Sequence, residues 1–213
     1  NLAEFYASLP FRLTGAQQRA INEISADFAK GTPMNRLVQG DVGSGKTLVA
    51  AACMWFAHKN GWQSALMAPT EILAEQHLRT LQGFLGPLGM EVGLLTGSMK
   101  PKEKREVRES IANRETDLVV GTHALITDAT VFADLGLVIT DEQHRFGVDQ
   151  RAVLAEKNQH SHMLVMSATP IPRSLALIMY GDLDLSKINE VRNSKEHFLS
   201  CGLLYFPMRE GWG

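Results

Sequence analysis

Eight consecutive residues, Gly40-Asp41-Val42-Gly43-Ser44-Gly45-Lys46-Thr47, fit the pattern G-x-x-x-x-G-K-[ST] of a loop that wraps nucleotide phosphates. Its glycines let the backbone turn tightly and aim N–H groups at anionic oxygens. Lys46 is placed to reach β- and γ-phosphates, and the Thr47 hydroxyl to ligate Mg²⁺. Gly40, Gly43, Ser44 and Gly45 complete the cradle. Far downstream, Asp141-Glu142-Gln143-His144 follows the apolar run Leu137-Val138-Ile139. Asp141 at a strand end can hold Mg²⁺, directly or through water. Glu142 beside it can polarise an attacking water as general base. A phosphate loop alone implies a nucleotide binder; the loop with both carboxylates implies NTP hydrolysis. The plainer reading is a glycine-rich turn and two carboxylates that cap the next helix.

These residues need rigid elements to hold them. Short runs rich in Val, Leu, Ile and Met predict strands over 35–39, 64–68, 91–95, 117–121, 136–140 and 163–167. Helices are predicted over 14–30, 46–59, 71–85, 101–113, 147–157 and 172–179. The alternation implies an α/β fold, a mostly parallel central sheet with helices on both faces. Ligands of such sheets sit at the carboxyl ends of the strands, where the phosphate loop falls. The charge-dense stretch over 100–109 mixes both signs and reads as a solvated helix face rather than a DNA patch.

The 213 residues suffice for one sizeable domain or two small ones, and 45% hydrophobic with 21% charged residues is ordinary for a globular chain. No apolar run is long enough for a membrane span, and the N-terminus lacks the features of a signal peptide. Two cysteines, Cys53 and Cys201, make no disulfide framework, which points to a reducing, cytoplasmic setting. The seven histidines show no zinc-site spacing. A net charge of −2 is not the footprint of a dedicated nucleic-acid binder, so any DNA contact must be local. The chain lacks an initiator Met and reads as a piece of a longer one. Residues 1–190 are expected to form one nucleotide-binding lobe, and residues 191–213 an atypical tail without clear period, truncated or artificial in origin.

Asp141-Glu142-Gln143-His144 resembles the second motif of superfamily 2 helicases, and Ser167-Ala168-Thr169 their third. Leu13-Thr14-x-x-Gln17 resembles the upstream segment whose Gln reads adenine, Ala68-Pro69-Thr70-Glu71 resembles motif Ia, and Val120-Gly121-Thr122-His123 motif Ib. The longer strings 37–47, 141–148 and 168–173 resemble RecG-type ATP-dependent DNA helicases, which remodel branched DNA and stalled forks in recombination and repair. The resemblance covers about residues 9–190 and implies the first of two RecA-like motor lobes of the P-loop NTPase class. The transcription-repair coupling factor is the alternative, but it usually carries Glu where this chain has Gln143. A lobe that binds nucleotide or a partner protein without turnover is the rival of another class.

The resemblance implies ATP and Mg²⁺ as cofactors. Gln17 would contact adenine, while Lys46, Thr47, Asp141 and Glu142 would bind and hydrolyse Mg·ATP. Gln143 and His144 would sense the γ-phosphate, and Ser167 and Thr169 would couple nucleotide state to DNA and the second lobe. Pro69, Thr70, Gly121, Thr122 and His123 would touch the DNA backbone, which suits a motor indifferent to sequence. Plainer roles stand beside each: Gln17 as a surface residue, Ser167 and Thr169 as a strand end and cap, His144 as a structural histidine, and the Ia and Ib loops as supports of the sheet. Arg145, Arg151 and Arg173 take no role derivable from the sequence. The second lobe with its arginine finger and the branch-gripping domain do not fit in this length, so the isolated chain is expected to hydrolyse ATP poorly.

Overall fold

The computed structural model describes residues 2–127, 129–141, 161–169 and 183–189. The predicted helices over 147–157 and 172–179, the residues Glu142, Gln143 and His144, and the tail over 191–213 lie outside them. The element order is α1 (Ala3–Ser8), α2 (Gly15–Phe28), β1 (Asn35–Gly40), α3 (Lys46–Lys59), β2 (Gln63–Met67), α4 (Glu71–Leu85), β3 (Val92–Leu95), α5 (Pro101–Ala112), β4 (Leu118–Gly121), β5 (Leu135–Asp141), β6 (His162–Ser167) and β7 (Asp184–Ile188). Short 3₁₀ turns at Gly86–Leu88 and His123–Ile126 join them.

Seven strands form one sheet in the order β3-β4-β2-β5-β6-β1-β7, with every pairing parallel. Every residue of β2, β4 and β5 is buried, as expected of strands covered on both faces. Alternation sorts their side chains. Leu66, Leu118, Val120, Leu137 and Ile139 join the core with Ile21, Ile24, Val49, Met54 and Leu81 of α2, α3 and α4. Ala65, Met67, Val119 and Val138 face the opposite way and pack with Ile111 of α5; Leu135 joins them where the register shifts between Gln63 and Ser64. Each of the larger aliphatic side chains contributes about 1.5–3 kcal/mol when fully buried. Helix α3 is buried almost all round, from Leu48 to Trp55, because it lies between α2 and α4 as well as against the sheet. By contrast α5 buries only Ile111, and its surface carries the pairs Lys102–Glu106 (3.8 Å) and Arg105–Glu109 (3.9 Å), a solvated face as its mixed charges predict.

The predicted strands and helices within the described residues match to within a residue or two at each end. Two elements were not predicted. Helix α1 has six residues and no amphipathic period to read, yet it buries Phe5 completely. Strand β7 reads Asp-Leu-Ser-Lys-Ile, and only its Ser186 and Ile188 are buried, because among the described residues it is an edge strand paired with β1 alone.

A charged cluster fastens that edge. The buried Arg36 donates from Nε to Asp27 Oδ2 (2.6 Å) and from Nη1 to Ser186 Oγ (2.9 Å), and its Nη2 lies 3.6 Å from Asp184. Lys30 adds a bond to Asp27 Oδ1 (2.7 Å). Burial alone raises the pKa of Asp27, but hydrogen bonds from Arg36 and Lys30 outweigh it and hold the carboxyl below its ordinary 3.8. Arg36→Met leaves Asp27 buried without its main partner, and we expect a loss of about 3 kcal/mol in urea unfolding near neutral pH. A depressed carboxylate stabilises above its unfolded pKa. The gap between wild type and variant should therefore hold above pH 3.8 and shrink as pH falls through the depressed value. A gap that stays constant in acid would show that packing, not charge pairing, carries the effect.

Candidate active site

All strands run in one direction, so their carboxyl ends share one edge of the sheet. The phosphate loop leaves β1 there, and Asp141 ends β5 with β6 between them. Register aligns the pieces: Val38 and Asp141 both pair with Met166, and Gln39 pairs with Ser167. At about 4.8 Å per strand, β1 and β5 stand roughly 10 Å apart. That gap suits a phosphate chain and a hydrated cation.

Inside the loop, Gly43 and Gly45 have φ of 82° and 86°, in the left-handed region that favours glycine. Gly45 is the N-cap of α3 and supplies no side-chain cap, so the helix start is left for an anion. Lys46 Nζ donates to the carbonyls of Gly40 (2.6 Å) and Asp41 (2.9 Å), which folds the ammonium over the loop. Among the described residues Ser44 Oγ, which is buried, has no hydrogen-bond partner; a phosphate oxygen would be an acceptor for it.

Gln17 is 2% exposed, not a surface residue. It closes a capping box with Thr14: Thr14 N donates to Gln17 Oε1 (3.0 Å), and Gln17 N to Thr14 Oγ1 (3.2 Å). Its Nε2 then donates to the carbonyl of Ser44 (2.8 Å). A Cβ at Gly45 would come within 2.2 Å of that nitrogen, a second reason for glycine there. The amide keeps one further donor and one further acceptor site, enough for an adenine edge.

Asp141 is 8% exposed, and its Oδ2 lies 2.5 Å from His77 Nε2 on α4. Ser167 and Thr169 form a tight turn: Thr169 N donates to Ser167 Oγ (3.2 Å), and Ser167 Oγ to the Thr169 carbonyl (3.1 Å). Gln39, which immediately precedes the phosphate loop, donates from Nε2 to that same carbonyl (3.0 Å).

The Ia and Ib residues occupy the other half of the edge, after β2 and β4. Thr70 caps α4, its Oγ1 accepting from Leu73 N (3.3 Å), and Ala68 N donates to the Gly121 carbonyl (2.8 Å). A Cβ at Gly121 would sit 2.1 Å from the Leu95 carbonyl, so close approach of β3 demands glycine there. Thr122 is buried, while His123 is exposed and Pro69 partly so. The structure thus groups Gly40 to Thr47, Asp141, Ser167, Thr169 and Gln17 in one half, and Pro69, Thr70, Gly121, Thr122 and His123 in the other.

Three connecting residues take no individual role in the sequence reading. His77 occupies a core-facing position of α4, in the series Ala74, His77, Leu81, Leu85, and a polar group in such a stripe is the signal that marks it. Gln39 shows no comparable signal. Glu71 accepts from Ser98 N (2.8 Å) and from the Ser98 hydroxyl, which ties the Ia loop to the turn after β3. Those bonds, the hydroxyl's first, hold the Glu71 pKa below its ordinary value.

The chain matches the family described as DEAD/DEAH box helicase over residues 14–178. It is 55% identical over 184 residues to the ATP-dependent DNA helicase RecG of Streptococcus pneumoniae serotype 4, covering 86% of this chain and 27% of that protein. It is 54% identical over 190 residues to the protein of that name from Synechocystis sp., covering 89% and 23%. A solved structure of RecG bound to a three-way DNA junction superposes with a TM-score of 0.77 at 48% identity, over 90% of this chain and 26% of that one. The helicase MrfA bound to DNA, at 18% identity and a TM-score of 0.68, shares the fold. The chain therefore spans about a quarter of the length of the relatives it matches. Among the described residues no helix is long and apolar enough to cross a membrane.

Proposed function

Because this chain belongs to the DEAD/DEAH box helicase family, as a motor lobe of RecG type, we propose that it is the ATP-binding lobe of an ATP-dependent DNA helicase that remodels branched DNA and stalled replication forks in recombination and repair. One observation carries the reading: the phosphate loop and Asp141 stand on one sheet edge, in register across β6. The RecG relatives, and Gln143 where coupling factors usually carry Glu, favour this over the coupling-factor alternative. A cytoplasmic setting fits a chromosomal DNA substrate.

The donors suit the cofactors. Thr47 and Asp141 offer hard oxygens of the kind Mg²⁺ prefers, and the loop's N–H groups suit phosphate, as does Ser44 Oγ, which no described residue bonds. When bound, Mg²⁺ neutralises charge on the β- and γ-phosphate oxygens. Lys46 supplies a fixed cation to the same oxygens. Glu142 orients the attacking water and takes its proton, and Gln143 and His144 contact the γ-phosphate. Ser167 and Thr169, tied to β1 through Gln39, relay the state of the loop. Pro69, Thr70, Gly121, Thr122 and His123 meet the DNA backbone beside them. Further domains of the longer protein supply the arginine finger and grip the branch point.

Titration of the chain with fluorescent ATP and GTP, with and without MgCl₂, tests the site. Mg²⁺-dependent binding with ATP preferred supports it; no saturable binding of either refutes it. Gln17→Ala separates two roles in the same assay. Loss of an adenine contact should weaken ATP about tenfold and GTP less, the scale of a hydrogen bond or two. Equal weakening of both would confine Gln17 to holding the loop through Ser44.

A further inference from the structure

The reading above leaves one buried polar side chain at the site without a role. His77 lies two turns into α4, in the stripe that faces the core, and its side chain is 10% exposed. A histidine in such a place costs stability unless its nitrogens are satisfied. Its Nε2 meets Asp141 Oδ2 at 2.5 Å, across 64 residues of sequence. The carboxylate accepts only, so Nε2 carries the hydrogen. Asp141 ends β5, and its side chain is 11% exposed. Oδ1 takes no hydrogen bond among the described residues.

We propose that His77 is a positioning residue for the metal carboxylate: by donating Nε2–H to Oδ2, it locks the Asp141 side chain so that Oδ1 is presented to the hydrated Mg²⁺ of the bound nucleotide. The inference rests on the nucleotide reading and adds a residue outside the motifs that define it. An outer partner of this kind shapes affinity without touching the ion, because it removes the rotational freedom that the ligand would otherwise lose on binding. A helix suits the task. Its backbone is rigid, and α4 packs against α3, β3 and β4, so the imidazole is held from several sides.

The test measures the Mg²⁺ concentration that half-saturates fluorescent ATP binding to the chain. His77→Leu keeps bulk and removes the donor. It should raise that concentration about 10- to 100-fold, the range for lost outer partners, and leave binding in EDTA unchanged. His77→Gln, whose amide nitrogen can stand near Nε2, should recover most of the loss. In Asp141→Asn, adding His77→Leu should change the Mg²⁺ dependence little, because the two residues act as one unit. An unchanged half-saturation in His77→Leu, or a Gln variant no better than Leu, overturns the proposal. Wild-type binding indifferent to Mg²⁺ overturns the nucleotide reading itself and this inference with it. A measurement without substitution guards against variants that do not fold. Nitrogen NMR of the metal-free chain, well above the ordinary histidine pKa, should show His77 with the hydrogen on Nε2. A bare Nε2 overturns the proposal.

Discussion

Lys46→Ala is expected to weaken Mg·ATP binding by roughly 10- to 100-fold and to slow turnover by a further 10²–10³. The Lys46 ammonium lies over the loop, bonded to the carbonyls of Gly40 and Asp41 at 2.6 and 2.9 Å. Those carbonyls are weaker partners for an ammonium than triphosphate oxygens, so a bound nucleotide can draw the lysine to its β- and γ-oxygens. In the ground state the loss is that of a charge-assisted bond. As the γ-phosphoryl separates, charge gathers on the bridging oxygen and the fixed cation matters more. Lys46→Arg should restore only part of either effect, since a planar fork cannot follow a chain built for a compact ammonium. Binding is read by titration of the chain, turnover in a protein that also carries the second lobe. Wild-type affinity and rate in Lys46→Ala would remove the loop from the site.

The second large effect divides the two acidic neighbours. Glu142→Gln should spare Mg·ATP binding and slow single-turnover hydrolysis by about 10²–10⁴, the scale of general-base loss. Asp141→Asn should act earlier, abolishing the gain in affinity that Mg²⁺ confers. Asp141 is turned toward α4, where His77 holds it. An amide at Asp141 keeps the shape and loses the charge that a hard cation requires. The same phenotype in both variants, whether lost binding or slow hydrolysis with binding intact, would show that the roles are not split. The half-saturating Mg²⁺ concentration and the single-turnover rate together decide it.

Much of this molecule was legible from local chemistry. The phosphate loop declares itself because left-handed turns demand glycine at Gly43 and Gly45, and a helix must follow to aim its N–H groups. Helices α3 and α4 begin and end where predicted, and the inner strands are continuous apolar runs because both their faces are covered. Strand order is another matter. Alternation says which face a side chain takes but not which strand lies beside it, so only tertiary pairing places β6 between the loop and Asp141. The same holds for β7, whose Asp-Leu-Ser-Lys-Ile becomes a strand only because β1 offers it an edge. The family resemblance implies a base contact for Gln17, but packing alone brings its amide to the Ser44 carbonyl. His77 stands 64 residues from Asp141. A local pattern shows that such a histidine needs a partner, because buried polar atoms do, but only the folded chain chooses which one.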